Sequence, residues 1–576
     1  MKFIEFDIKK CDECFKCLRV CPTKAISFTK HNRSIIDDQC IKCGLCHMQC
    51  STGALTIHLD INTVQAQVKS GKKVIASLAP SYAGAFDLDN PLKMTTALKQ
   101  LGFHIVEETA RGAEIVSKEY EKVITKGSRP NLITSCCPST NALIEHYYAD
   151  AIDQVIPVVS PMIAHGYDIK SRYPKDVYVV FIGPCLSKKA EAVQYKDSVD
   201  AVITFRELEK WFLDENIDIN SLDPSNFDTP STKRGKAYPL GGSLWKKDLI
   251  SRINPNYKYI HVDGIEACTE FLTSVSKGEI SGFCAELNIC PMSCINGPDM
   301  PEKAPKLYRR LSLLNNYVDS CQLSQNDVFE VEPIIITSEL LHHVFQSKVS
   351  ILSSANDDAV HSVLLEMGKY TIQDQLNCGA CGYSTCYDKA VAVSKGHSDI
   401  HMCLDSLKKK AESMQSIIFD TSPNAICILD SELRILDVNP AFHRLFNSSR
   451  IKLTHWPIAA LIDDPILDEI ILPATDGISK KITLESIDKT FIANVIRIFD
   501  DKNYVGIFTD ITDSEKNRKE LEKVKIETLT TCQEVIDHQM RVVQEIASLL
   551  GETTAETKIG LNKLKKLVLS DGGQQL

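Results

Sequence analysis

Cysteine dominates the chemistry open to this sequence. Two early runs, Cys11, Cys14, Cys17, Cys21 and Cys40, Cys43, Cys46, Cys50, share the spacing C-x2-C-x2-C-x3-C. Loops this short bring three thiolates to one iron–sulfur cube, and the fourth cysteine of each run reaches the other cube. The spacing therefore predicts one [4Fe-4S] cluster on Cys11, Cys14, Cys17 and Cys50 and another on Cys40, Cys43, Cys46 and Cys21. Zinc or disulfides are the alternatives, and the doubled spacing disfavours them. A second set is dispersed: Cys136 and Cys137 in TSCCP, Cys185 in GPCLSKK, and Cys290 and Cys294 in CPMSC. Four soft thiolates on separate loops can close a cluster between two lobes. Lys188, three residues after Cys185, offers an ammonium to anionic ligands on a metal. Taken singly, members of this set read equally well as buried structural cysteines. A third set, Cys378-x2-Cys381-x4-Cys386-x16-Cys403, includes Gly379 and Gly382 at turns that could converge thiolates. Zinc is again the alternative, although closed zinc sites usually use paired C-x2–4-C ligands.

The 576 residues hold 22 cysteines, eight of them in the first 50 residues and only Cys427 and Cys532 after Cys403. Disulfide frameworks belong to short secreted chains. This chain is long, and MKFIEFDIKK has no apolar signal core. No run of about 18 apolar residues could span a bilayer. The expectation is metal ligation in a reducing cytoplasm. A net charge of −10 argues against nucleic acid or anionic membrane as the main partner.

These cysteines need elements to position them. Residues 1–72 read as short segments around the two runs. From Lys73, apolar runs alternate with helical periods: KKVIASLAP, PLKMTTALKQLGF, HIVEE, ARGAEIVSKEYEKVITK, NLITSC, DVYVVFIGPC and AVITF, with a helix over 207–217. This pattern predicts α/β architecture with a largely parallel sheet. TSCCP and GPCLSKK then sit just beyond strand carboxyl ends, where such folds place ligand sites. Residues 219–235, rich in Asp, Ser, Thr and Pro, read as a surface insertion. The whole is a multidomain α/β and α+β protein. Its expected parts are a ferredoxin-like domain (1–72), a two-lobed α/β domain (73–305), a connecting segment (306–350), a small [4Fe-4S] domain (351–410), a strand-and-turn domain (411–515) and a helical segment (516–576). Val543, Ile546 and Leu549 recur at helical spacing, which suggests a helical hairpin or coiled-coil dimer broken near LLGETTAE.

The N-terminal runs resemble bacterial two-cluster ferredoxins, with Ser51 where the second run usually has Pro. Together with TSCCP, GPCLSKK and CPMSC they resemble iron-only ([FeFe]) hydrogenases, from Lys73 to about Met300. The third set resembles the one-cluster domain that accompanies sensory hydrogenases. DTSPNAICILDSELRILDVNPAFHRLF and YVGIFTDITD resemble a PAS domain, so the likeness is to the sensory, PAS-containing branch of that family. The resemblance implies that Cys137, Cys185, Cys290 and Cys294 hold the [4Fe-4S] part of an H-cluster, with Cys294 also bridging to a diiron unit carrying carbonyl and cyanide. It implies that Lys188 bonds an iron-bound cyanide and that Cys136 relays protons. Glu119 aligns with a carboxylate of the proton path and Ser160 with its serine; for Glu119 a solvated helix face is the rival reading. In all, four [4Fe-4S] clusters and one diiron unit are implied, in an anaerobic organism.

Departures mark the wall of the site. Gly183 and Asn288 stand where active members carry Met, PMSC replaces PGGC, and Thr140 replaces an aromatic residue. Such surroundings tune potential and reactivity. The expected function is slow, reversible reaction of dihydrogen with protons and electrons, read out as a hydrogen or redox sensor through the PAS domain. A redox partner protein, an unidentified signalling partner and a homodimer through the PAS domain and C-terminal helices are expected. A turnover hydrogenase or a subunit of an electron-transfer complex is the second reading, and a non-catalytic iron–sulfur carrier or scaffold the third. His443, Trp456 and Cys427 read as packing residues and His538 as an ordinary helix position. Cys268, Cys284, Cys321 and Cys532 receive no role.

Overall fold

The computed structural model describes residues 3–29, 32–173, 176–243, 250, 252–322, 336–349, 356–446, 453–462, 477–498, 503–550, 559–560 and 562–563. The chain forms two compact units, 1–407 and 408–576.

In the first unit the N-terminal cysteine runs lie on two short helices, Lys16–Val20 and Leu45–Gln49. Two antiparallel ribbons flank them, Ile4–Phe6 with Leu55–Ile57 and Ile26–Phe28 with Arg33–Ile35. The α/β part has two separate sheets rather than one. Ile105–Glu108, Val74–Leu78, Tyr178–Gly183 and Ala201–Thr204 form a four-stranded parallel sheet. Lys258–Asp263, Phe283–Asn288 and Leu132–Ile133 form a three-stranded parallel one. VIASL is buried along its whole length, as a parallel strand covered on both faces must be. Helix Ala110–Lys126 ends on Gly127, whose φ of +56° suits a left-handed C-cap. Helix Phe205–Asp214 starts with a Thr204–Glu207 capping box.

Two stretches differ from expectation. Residues 219–228 lie at the surface as expected, but the end of the 219–235 stretch does not: Thr229, Ser231 and Thr232 are buried. Their hydroxyls supply partners to buried carboxylates, Ser231 to Glu108 at 2.5 Å and Thr232 to Glu114, and this polar pairing is what a composition-based reading takes for a loop. Within 306–350, helix Leu307–Asp319 places Leu314, Tyr317 and Val318 in the main core, so this stretch is part of the α/β domain and not a free connector.

Glu107, His165 and Asp168 form a buried cluster whose ligand atoms lie within 4.8 Å of one another. Guanidinium groups already fill the role a cation would play there. Arg172 donates to Glu107 at 2.6 Å and to Asp168 at 2.7 Å, and Arg111 donates to Asp168 at 2.6 Å. Burial alone would raise the Glu107 carboxyl, but hydrogen bonds from His165 and Arg172 outweigh it and hold the group well below the carboxylate range. Its contribution to stability is therefore present above the unfolded value of 4.5 and fades as pH falls below it. Arg172→Ala is expected to destabilise the first unit by about 3 kcal/mol, because it strips a partner from a buried carboxylate. Denaturant midpoints at pH 7 check this; a change under ~1 kcal/mol would contradict it.

The second unit contains a five-stranded antiparallel sheet in the order Ile435–Val438, Ala425–Leu429, Tyr504–Asp510, Lys489–Arg497, Gly477–Leu484. Buried Asn439 caps helix Pro440–Leu445 and ties four backbone groups: it accepts from Ile426 and Phe442 and donates to Phe419 and Asn424. Cys427 is fully buried against Gly506. Trp456 is not a packing residue: it is 43% exposed, on a turn whose backbone bonds Ile435 and Leu453. Thr512–Leu550 is one continuous helix of 39 residues. His538 and Cys532 are exposed on it. The proposed break at LLGETTAE lies mostly outside the described residues. No helix among the described residues is long and apolar enough to cross a membrane.

Candidate metal centre

Strand ends and loops of both α/β sheets meet around a largely apolar cavity of about 880 Å³, counted to its mouth. Cys137, the residue before helix Pro138–Tyr147, lines it together with Cys185, Cys290, Cys294, Cys136 and Lys188. The dispersed second set is thus brought to one place from three loops spread between Cys136 and Cys294 of the sequence. Burial pushes the Cys136 thiol up to about 12, helped by the charges of Glu286 and Cys137, so it keeps its proton at neutral pH. Lys188 is 8% exposed and donates to Glu191 at 2.7 Å and to the Cys136 carbonyl at 3.4 Å. Burial lowers its pKa, but Glu191 and Cys185 more than compensate and it is raised. Four sulfurs with an ammonium beside them fit an anionic iron–sulfur group, and the cavity has room beyond the four cysteines. Cys137, Cys185, Cys290 and Cys294 would hold the cluster.

Comparison with known proteins agrees with this geometry. The family described as iron only hydrogenase large subunit, C-terminal domain, matches residues 72–298. The chain carries an iron-only hydrogenase domain. A 4Fe-4S dicluster domain matches 10–54, an Fe-S cluster family 374–404 and a PAS domain 413–479. The chain is 29% identical over 282 residues to the NADP-reducing hydrogenase subunit HndD of Solidesulfovibrio fructosivorans, covering 41% of this chain and 48% of that one. It is 27% identical over 379 residues to iron hydrogenase 1 of Clostridium pasteurianum, covering 53% and 66%. It is also 27% identical over 243 residues to the cytosolic Fe-S cluster assembly factor narfl of Xenopus tropicalis, covering 35% and 51%. The matches thus span about half to two thirds of these relatives' own lengths.

The altered wall of the hydrogenase domain has a steric logic. A Cβ on Gly183 would lie 2.7 Å from the Phe181 ring, which occupies the room a larger side chain would need. Asn288 lines the cavity and donates to Glu286 at 3.2 Å. Met292 and Ser293 of PMSC both have left-handed backbone, φ +62° and +61°, at the two positions where the family's motif has glycine. That conformation costs a non-glycine residue roughly 1–2 kcal/mol. Thr140 is buried and donates to the Leu287 carbonyl at 3.2 Å.

Glu119 does not line this cavity; its carboxylate accepts from Lys122 at 2.6 Å and Ser338 at 3.2 Å. On the same helix Tyr120 faces inward and bonds Ser135. Ser160 lines a neighbouring cavity and donates to Glu191 at 3.0 Å, so it meets Lys188 through that carboxylate. Glu191 and Glu286 escaped the sequence reading. Glu286 did leave a signal, an acid inside the buried strand FCAELN. Tyr259 and Asn288 bond it, and burial above all pushes its carboxyl up to about 7. A carboxyl raised above its unfolded value of 4.5 favours folding at low pH and loses that contribution as pH climbs through about 7. Unloaded protein is therefore expected to lose about 3 kcal/mol between those limits relative to Glu286→Gln. Denaturant midpoints across that range test it, and parallel curves for the two proteins would contradict it.

The N-terminal cysteines group as the spacing requires. Cys21 lines a cavity with Cys40, Cys43 and Cys46, while Cys17 lies within electrostatic reach of Cys11, Cys50 and Cys14. Cys43 and Cys137 pack against the same core, which also contains Ile41, so this domain sits directly against the hydrogenase site. Cys378, Cys381, Cys386 and Cys403 line a third cavity.

Proposed function

We propose that this chain reacts slowly and reversibly with dihydrogen in its hydrogenase domain and acts as a hydrogen or redox sensor through its PAS domain. The observation that supports this best is that Cys136 and Lys188 share one cavity with Cys137, Cys185, Cys290 and Cys294. A plain cube needs neither the fifth thiol nor the ammonium. A diiron unit with carbonyl and cyanide ligands, once bound there, supplies an open iron for heterolytic cleavage of dihydrogen. Cys294 and Lys188, which line the cavity, would help to hold that unit through a thiolate and an ammonium. Cys136 holds the proton released or taken up, and the apolar walls keep bulk water out. The chain runs from Cys403 directly into helix Leu404–Thr421 and the PAS domain, an order that suits a sensor. On helix Thr512–Leu550, Leu521, Val524, Val535 and Ile546 are exposed, a face suited to a second copy of this chain.

Likeness to an iron–sulfur assembly factor supports a second reading, a non-catalytic cluster protein that never receives the diiron unit. One experiment separates the two. The protein is matured anaerobically and its infrared spectrum recorded in the carbonyl and cyanide region with and without dihydrogen. Bands that respond to dihydrogen are expected. Their absence, after maturation that loads a control hydrogenase, would leave the second reading.

A further inference from the structure

The cavity formed by Cys378, Cys381, Cys386 and Cys403 also takes in Lys369 and Lys389. Both side chains are buried, Lys369 at 2% and Lys389 at 0% exposure, yet they are neutralised differently. Lys369 pairs with the Asp405 carboxylate. The Lys389 ammonium donates to the Ser398 hydroxyl at 2.5 Å and the Asp399 carbonyl at 2.6 Å, and lies 5.3 Å from the centre of the Tyr383 ring. These are neutral partners, and no carboxylate forms an ion pair with Lys389 among the described residues. Burial disfavours the Lys389 ammonium, and the negative groups that offset this are Cys381, Asp399 and Cys403, none of them in a direct ion pair with it among the described residues. Negative charge in the adjoining cavity favours the charged form of Lys389. Four thiolates around an iron–sulfur cube provide that charge, and reduction adds to it.

This small domain is also seated on the ferredoxin-like domain. Arg19 donates through one nitrogen to the Cys14 carbonyl at 2.9 Å and through the other to the Ala380 carbonyl at 3.4 Å, joining the two ligand loops. The Phe28 N–H donates to the His397 carbonyl at 2.9 Å. A Cβ on Gly382, whose φ is +92°, would lie 2.9 Å from Leu18, so the loop after Cys381 lies flat on that residue. Tyr383 shares one core with Cys17, Leu18 and Cys46. Cations beside the ferredoxin-like cysteines, Lys24 and Lys42, remain partly exposed, where water weakens their effect.

Building on the reading above, we infer that the cluster of Cys378, Cys381, Cys386 and Cys403 is the electron sink of this chain. It is reduced directly from the docked ferredoxin-like domain, with Lys389 as the positioning charge that favours its reduced form. In each step one electron leaves a ferredoxin-domain cluster, which is oxidised, and enters this one, which is reduced. No bond forms or breaks, and no proton need accompany the electron because Lys389 already carries compensating charge. Net charge, hydrogen bonding and burial are the levers that set the potential of such clusters.

The test uses the full chain reconstituted with iron and sulfide but without the diiron unit, titrated with dithionite and followed by electron paramagnetic resonance. The signal lost in Cys386→Ala identifies the cluster. It is expected to be the first reduced in the wild type. In Lys389→Met, with iron content and circular dichroism retained, it should become reduced after the ferredoxin-domain clusters, and Lys389→Arg should restore the order. Earlier reduction of the ferredoxin-domain clusters in the wild type would overturn the inference, as would an unchanged order in Lys389→Met or zinc in place of iron at this site. The wild-type order decides the matter even if Lys389→Met fails to fold. Missing carbonyl and cyanide bands in separately matured protein would remove dihydrogen as the electron source without touching this result, so the two readings fail separately.

Discussion

Cys136→Ala is expected to slow isotope exchange between dihydrogen and deuterated water by about 10³-fold, while iron content and the carbonyl and cyanide bands stay intact. The size follows from position. Cys136 is 9% exposed, lines the cavity with all four proposed ligands and is held protonated by burial. Its sulfur lies 3.7 Å from the Thr134 hydroxyl. Glu119, turned to Lys122 and Ser338, is not placed to take over. Cys136→Ser should recover part of the loss, since a hydroxyl keeps a transferable proton. Mass-spectrometric exchange assays on matured protein check this. A rate for Cys136→Ala within about threefold of wild type would remove the thiol from the proton route.

Lys188→Met should abolish the carbonyl and cyanide bands and cost about 3 kcal/mol of stability, two effects with separate causes. The stability loss comes from Glu191, whose largely buried carboxylate keeps, among the described residues, the Ser160 hydroxyl as its hydrogen-bond donor once the 2.7 Å ion pair is gone. The loss of bands comes from removing the ammonium that would help to hold the diiron unit. Lys188→Met/Glu191→Leu distinguishes them, because replacing both members of a buried pair by apolar groups is often nearly neutral. Denaturant midpoints of the double variant should return close to wild type while its infrared bands stay absent. Bands in either variant would show that the diiron unit does not depend on Lys188.

Much of this molecule was legible in residue spacing. The helix ARGAEIVSKEYEKVITK spans Ala110–Lys126 in the structure because its apolar period and its terminal glycine specify both face and end. KKVIASLAP forms a strand because a short apolar run bounded by Pro suits a covered parallel sheet. Polar burial was not legible. Ser231 and Thr232 look like loop residues until Glu108 and Glu114 are found across from them. Glu119 and Tyr120 are adjacent in sequence, and a helix turns each residue about 100° from the last, so a short alignment cannot say which one faces the cavity.

The sequence by itself determined the clustering of cysteines, the alternation of strands and helices, and the order of iron–sulfur, hydrogenase and PAS segments. These are local properties: loop length limits which thiolates converge, and hydrophobic period selects the element. Tertiary structure decided what stands around the sulfurs. It brought Glu191 to Lys188, turned Glu119 away, filled the space beside Gly183 with Phe181 and set Lys389, hydrogen-bonded to the Ser398 hydroxyl and the Asp399 carbonyl, beside the third cysteine set. The physical reason is that burial and charge depend on residues distant in the chain. Those surroundings tune the reactivity that the ligands make possible at a metal centre.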